Sequence, residues 1–205
     1  MKNALIKTAA VVALSVGTLI GLSEVASAGD GAFTGGSYVG IYGGANWDDV
    51  INSKFVDDNS GYTVGGVVGT RVNAVKGLRI EADLSNRSND VDIFGGKINA
   101  QHETTAILGN VVYDVPVDLG PVRPYVLAGV GYAKTTATFE DVSLLKLEAS
   151  GVAWQLGAGI NTDIAPGVTA GVGYRYMQGP AIEVLNTELS DGGNSSIVAS
   201  VNFAF

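Results

Sequence analysis

The chain has 205 residues, 29 of them glycine and none cysteine, with a formal charge of −8 at pH 7 and a mean hydropathy of +0.27. The lack of cysteine excludes a disulfide framework and a thiolate metal site, and the acidic balance excludes the basic surface that a nucleic-acid partner would require. After residue 28 no run of 18 apolar residues occurs, which excludes helical membrane spans and leaves a soluble β-sandwich and a closed membrane barrel as the rival classes.

In chain order, Met1 to Ala28 has the three parts of a secretory signal. Lys2 and Lys7 supply a positive front, Thr8 to Leu22 an apolar run, and Ala26-Ser27-Ala28 a small-x-small cleavage site. The run is shorter than the ~20 residues of a spanning helix, so residues 1–28 are expected to be removed on export. Cleavage takes away Lys2, Lys7 and Glu24, moves the charge from −8 to −9 and leaves 177 residues, 29–205, as one domain.

Gly29 to Gly36 is a short lead. A first strand is predicted over Ser37 to Trp47, with Val39, Ile41, Ala45 and Trp47 on one face and Tyr38, Gly40, Tyr42, Gly44 and Asn46 on the other. The polar stretch Asp48 to Ser60 leads to a second strand, Gly61 to Val72, and Asn73 to Gly77 makes a short turn into a third, Leu78 to Asn86. There Leu78, Ile80, Ala82 and Leu84 alternate with Arg79, Glu81, Asp83 and Ser85. Arg87 to His102 reads as a second long loop. The fourth strand, Glu103 to Val115, sets Ile107, Val111 and Tyr113 against Asn110 and Asp114. A link over Pro116 to Pro121 starts the fifth, Val122 to Phe139, whose faces are ambiguous because Val126 and Leu127 have opposite parity. Glu140 to Ala149 is a third long loop. The sixth strand, Ser150 to Asp163, alternates Val152, Trp154, Leu156, Ala158 and Ile160 with small and amide residues. Ala165-Pro166-Gly167 turns into the seventh, Val168 to Gln178, and the loop Gly179 to Asn194 delivers the last, Ser195 to Phe205.

The connections alternate long, short, long, short, long, short, long. This is the layout of an up-and-down meander with all its long loops at one end, whereas a Greek-key sandwich has no reason to segregate them. Each strand also reaches the ~9–11 residues needed to cross a bilayer at a tilt. The expected fold class is therefore all-β: an eight-stranded antiparallel up-and-down transmembrane barrel. Trp47, Tyr62, Trp154 and Tyr176 fall toward the long-loop end of the apolar face, and Tyr113 and Phe205 toward the short-turn end, as interfacial aromatic girdles do. Interior glycines, which weaken a strand, suit close packing inside a narrow barrel.

Pro124-Tyr125-Val126-Leu127-Ala128-Gly129-Val130-Gly131-Tyr132 and Tyr174-Arg175-Tyr176 resemble strands of the opacity-type, OmpA-like outer-membrane β-barrel surface proteins. In the last strand Ile197, Ala199, Val201, Phe203 and Phe205 share one face, and the terminal aromatic resembles the signal read by the barrel-assembly machinery. The resemblance implies a bacterial outer-membrane protein of structural or surface-interaction role, adhesin-like or antigen-like, with both mature termini in the periplasm and the long loops outside. The implied partners are outer-membrane lipid and lipopolysaccharide, the assembly machinery, and a host or surface ligand bound through the loops. A narrow, low-conductance porin is the alternative.

Eight strands enclose an interior just filled by side chains. The inward set is expected to be Arg71, Arg79, Glu81, Asp83, Asn110, Asp114, Gln155, Arg175 and Asn202, forming a polar plug with Arg71 near Glu81 or Asp83. No cofactor or metal is expected. Asp57-Asp58-Asn59-Ser60-Gly61 and Asn89-Asp90-Val91-Asp92 lack the spacing and terminal Glu of a calcium loop, although such acids suit divalent cations bridging to lipopolysaccharide phosphates. A lipid-modifying enzyme would need a nucleophile and a base. The single histidine, His102 beside Glu103, is not matched in spacing to Ser85, Ser88 or Ser150, so the chain is not expected to be an enzyme.

Overall fold

A computed structural model of the chain describes residues 36–48, 56–58, 60–93, 98–139, 146–180, 182–184, 187–190 and 192–205. The signal segment 1–28, with Ala26 and Ala28, lies outside the described residues. Eight antiparallel strands close a barrel: β1 (Ser37–Asp48), β2 (Ser60–Arg71), β3 (Leu78–Ile93), β4 (Ile98–Asp114), β5 (Val122–Phe139), β6 (Lys146–Ala165), β7 (Val168–Gln178) and β8 (Gly193–Ala204). Each strand pairs with its sequence neighbour, and β8 returns to β1 from Tyr38↔Ala204 to Asp48↔Asn194. Closure leaves no sheet edge along the wall, which is the condition for placing a sheet in hydrocarbon.

The strands are held in register by turns at one end. Residues 72–77, 115–121 and 166–167 make the three short connections, and each carries a glycine with positive φ: Gly77 (84°), Gly120 (67°) and Gly167 (73°). Only a residue without Cβ adopts that conformation at low cost.

Burial is inverted relative to a water-soluble domain. Ile107 (61 % exposed) and Val111 (51 %) point outward, while Leu108 (2 %) and Val112 (1 %) between them point inward. Val152, Trp154, Leu156 and Ile160 continue the outward apolar band on β6, and Val172, Tyr174, Ile197 and Phe203 continue it on β7 and β8. The ambiguity of the fifth strand is thereby resolved: Tyr125 and Leu127 face the interior, and Val126, Val130 and Tyr132 face outward.

The bounds of β5 and β7 coincide with the sequence expectation, but β3, β4 and β6 are longer than predicted. The stretch read as a loop, 87–102, is largely a continuation of the β3–β4 ladder, paired from Ser88↔Glu103 to Ile93↔Ile98. Likewise β6 begins at Lys146, where it pairs with Thr138. The physical reason is that these segments carry polar residues at both parities, Arg87, Ser88, Asn89 and Asp90 in succession, so no two-residue hydrophobic period marks them as strand. Strands β3 to β6 thus have 16, 17, 18 and 20 residues, whereas β1, β2, β7 and β8 have 11 or 12.

Candidate functional site: the barrel interior and its rims

The interior is built in layers. At its centre Asp83 of β3, fully buried, accepts hydrogen bonds from Tyr42 Oη at 2.7 Å, Arg175 Nη1 at 2.8 Å and Asn110 Nδ2 at 3.3 Å. Gln155 Nε2 donates to Asn110 Oδ1 at 2.7 Å. The Arg175 guanidinium also lies 4.1 Å from the centroid of the Tyr42 ring, adding a cation–π contact to the ion pair. With Gln155 Nε2 also donating to it at 3.4 Å, the carboxylate has acceptor sites filled from β1, β4, β6 and β7, four different parts of the wall.

Toward the short-turn end, Arg79 forms a second centre. Its Nη2 donates to Asp114 Oδ1 at 2.8 Å, and its Nη1 to Tyr38 Oη at 3.0 Å and Glu81 Oε1 at 3.2 Å. Tyr38 Oη in turn donates to Glu81 Oε1 at 2.5 Å. Toward the long-loop end Arg87, buried and read from the sequence as the start of a loop, donates from Nη1 to Ser85 Oγ at 2.8 Å, Asn46 Nδ2 donates to Asn89 Oδ1, and Ser196 Oγ donates to Asn46 Oδ1 at 3.0 Å.

Glycines make room for the interior tyrosines. Register places Tyr38 opposite Gly69 and Tyr42 opposite Gly65, and a Cβ at either glycine would strike the tyrosine ring. Tyr125 lies in the same way over Gly159 and Gly173. A flat ring laid across a bare backbone fills the narrow lumen without forcing the wall outward.

Of the residues expected inside, Arg79, Asp83, Asn110, Gln155 and Arg175 are buried, as is the side chain of Glu81, while Asp114 and Asn202 are partly exposed toward the short-turn mouth. Arg71 is exposed. Register sets Arg71 opposite Arg79, with Gly69 opposite Glu81 and Val67 opposite Asp83. The expected pairing of Arg71 with Glu81 or Asp83 is therefore not made, because Tyr38 and Tyr42 reach those acids from the other side of β2.

The interior is also less polar than the sequence suggests. Leu108 packs with Ala106, Ala133, Ala153 and Met177, Val67 and Val198 pack with Tyr38 and Tyr42, and Val112 and Leu127 pack with Tyr125. These apolar residues were hidden because their strands, among them β2 with Val67 and Val68, β4 with Leu108 and Val112, β5 with Leu127 and β8 with Val198, carry apolar side chains on both faces, which erases alternation. Arg123 was missed as well; it donates from Nη1 and Nη2 to both oxygens of Asp163 at 2.6 Å across the β5–β6 pair at the short-turn rim. This two-pronged pair, with Thr169 Oγ1 donating at 2.8 Å, holds the Asp163 carboxyl down to about 2.

His102 lies on β4 at the same inward parity as Thr104 and Ala106. Ser85 is opposite Ala106, four residues along β4 or ~13 Å at ~3.3 Å per residue, and Ser150 is on the outer face, bonded to Tyr132 Oη at 3.1 Å. These three do not converge, whereas Ser88, opposite Glu103 and next to the Asn89 that pairs with His102, is the serine that register brings nearest to that histidine. Among the described residues no group of three His, Cys, Asp or Glu is close enough to hold a metal. The Asp57, Asp58, Asp90 and Asp92 side chains lie outside the described part, and Asn89 turns inward.

On the outer face the band ends in a polar row. Asn86 Nδ2 donates to Glu103 Oε1 at 2.9 Å, Lys134 Nζ pairs with Glu148 Oε2 at 2.9 Å, and Tyr132 meets Ser150. The girdle residues Trp154 and Tyr176 stack obliquely just below, ring centroids 5.6 Å apart. The tail residues Ile197, Ala199, Phe203 and Phe205 are exposed on the outer face, with Val201 on the same face.

Comparison with solved structures finds the same fold in proteins of low sequence identity. Neisserial surface protein A is 20 % identical, with 86 % of this chain and 100 % of that chain covered and a TM-score of 0.59. The attachment invasion locus protein Ail of Yersinia pestis, solved with the heparin analogue sucrose octasulfate, is 16 % identical, with 83 % and 99 % covered and a TM-score of 0.51. A major outer membrane protein from Thermus thermophilus is 11 % identical, with 82 % and 99 % covered and a TM-score of 0.52. Comparison with curated protein sequences returns no match. The profile of the outer membrane protein beta-barrel domain matches residues 11–205, nearly the whole chain, and the chain belongs to that family of bacterial outer-membrane barrels.

Proposed function

We propose that the protein is a closed surface barrel: a plugged scaffold that carries its long loops outside the cell and acts through them, with both mature termini in the periplasm. The observation that carries this reading is the filling of the lumen, whose two described cavities measure about 20 and 30 Å³, room for about one or two waters each. Charge sorting agrees with it. The four segments 48–60, 87–102, 140–149 and 179–194 together hold twelve acidic and four basic residues, a net of −8 within a mature total of −9. Such an acidic outer end favours cationic ligands, or divalent cations bridging to lipopolysaccharide phosphates, and disfavours polyanions of the kind seated on Ail.

A gated, narrow pore is the second reading. Both cavities border Arg79, Asn161 and Asn202, so displacement of Arg79 would join them. Single-channel recording of the refolded barrel tests the two. The scaffold reading expects silence in the native protein and in Arg175→Ala; resolved openings that widen in the variant would replace it with the pore. Deletion of the four long segments is expected to abolish adhesion to cells or matrix, and adhesion that survives the deletion would overturn the loop role.

A further inference from the structure

The outward wall is not uniform. Near its short-turn end, across β1 to β4, lies an apolar groove of about 470 Å³ floored by Ala82 and Gly109 and walled by Val68, Ile80, Val111 and the terminal Phe205. It lies in the lipid-facing band, since Ile80, Val111 and Phe205 are exposed on the outer face with no described protein group over them. Gly109 deepens it. A Cβ there would meet nothing closer than the Val130 carbonyl oxygen at 3.8 Å, so the barrel's own packing does not demand glycine, unlike Gly65 and Gly69 beneath their tyrosines. Close approach of another molecule to the backbone is one of the uses of a glycine within a strand.

Below the groove, the β2–β3 turn carries Lys76, exposed and only four residues from Ile80. A cation in the turn next to an open apolar slot matches a molecule with an anionic head and a hydrocarbon tail. We propose that this wall retains one phospholipid, an acyl chain lying in the groove against Phe205 and its phosphate at Lys76. The inference rests on the membrane location of the barrel and is independent of the role assigned to the loops and the lumen.

Native mass spectrometry of the full-length protein extracted from outer membranes, and of the same protein exposed to phosphatidylglycerol, tests it. The wild type is expected to hold one phospholipid per barrel. Gly109→Leu fills the groove and is expected to reduce that occupancy about tenfold, from loss of roughly two methylenes of contact. Lys76→Gln is expected to weaken retention of phosphatidylglycerol but not of a zwitterionic lipid. Ala158→Leu, on the outer face of the opposite wall, controls for added bulk and leaves occupancy unchanged. Equal occupancy in Gly109→Leu and Ala158→Leu overturns the proposal, as does a dimer that Gly109→Leu dissociates, which would assign the groove to a second copy. The heat-modifiable gel shift of each variant confirms that the barrel has folded.

Discussion

Asp83 is the side chain on which most of the interior converges, and its removal has a definite cost. Asp83→Ala strands the buried Arg175 guanidinium without its carboxylate, a change that typically destabilises by ~3–5 kcal/mol. Urea unfolding in lipid vesicles reads the loss, and a second substitution, Arg175→Met, is expected to return part of it because no uncompensated charge then remains. The Arg123–Asp163 pair at the short-turn rim behaves differently. Its groups are about half exposed, so Asp163→Asn is expected to cost well under ~1 kcal/mol. The folded-state carboxyl lies below its unfolded value of ~3.9, so the pair's contribution is fully present above that pH. It is lost as pH falls toward about 2. An acid titration of wild type and Asp163→Asn should therefore converge between those two pH values and nowhere above them.

At the scale of the element, a strand was legible wherever one face met lipid and the other met packed side chains of different polarity. The third strand showed this plainly, since Arg79, Glu81 and Asp83 alternate with Ile80, Ala82 and Leu84. Turns were legible because Gly77, Gly120 and Gly167 punctuate them. The upper halves of β3, β4 and β6 were not, because above the apolar band both faces are polar and the two-residue period vanishes. The interior was half legible for a related reason: charges within an alternating strand announce themselves, but buried Arg87 reads as the start of a loop, and Leu108, Val112 and Leu127 face inward in strands that are also apolar outside. Ion-pair choice was not legible at all, since it depends on register, and a tyrosine from β1 can displace an arginine from β2. The outward faces carry a prediction of their own. Leu156→Arg, placed within the apolar band of β6, is expected to destabilise the refolded barrel by ~2–4 kcal/mol in vesicle unfolding, the cost of a cation deep in hydrocarbon, while Glu148→Arg on the same strand above the band should cost ~1 kcal/mol or less.

Across the whole molecule the wall has two heights. Strands β3 to β6 rise past the polar row, joined by a short strand, Val56–Asp58, that pairs with β3 at Ile93 and Asp92, while β1, β2, β7 and β8 end near it and residues 182–184 and 187–190 pair as a small hairpin between β7 and β8. At ~3.3 Å per residue, four to eight extra residues lift that part of the wall by roughly 10–25 Å along the strands. Most of the net negative charge gathers at this same end, and the opposite end is nearly neutral. The fold therefore separates three tasks along one axis: acidic segments at the long-loop end, a filled interior, and short glycine turns at the other.

The pairing of β8 with β1 brings the last residue beside the first strand, with Phe205 N donating to Ser37 O at 2.9 Å. A ring has no intrinsic starting point. Segment 29–36 could join Phe205 to Ser37 while new ends are opened in the turn at 72–77, giving a circular permutant with every ladder preserved. That permutant is expected to refold in vesicles with a heat-modifiable shift like the parent's. It would end on Thr70 and Arg71 rather than on Phe205, so if the terminal aromatic is an address for the assembly machinery, the same chain should fail to reach the outer membrane of a living cell. The contrast between the test tube and the cell separates what the final strand does for stability from what it does for delivery.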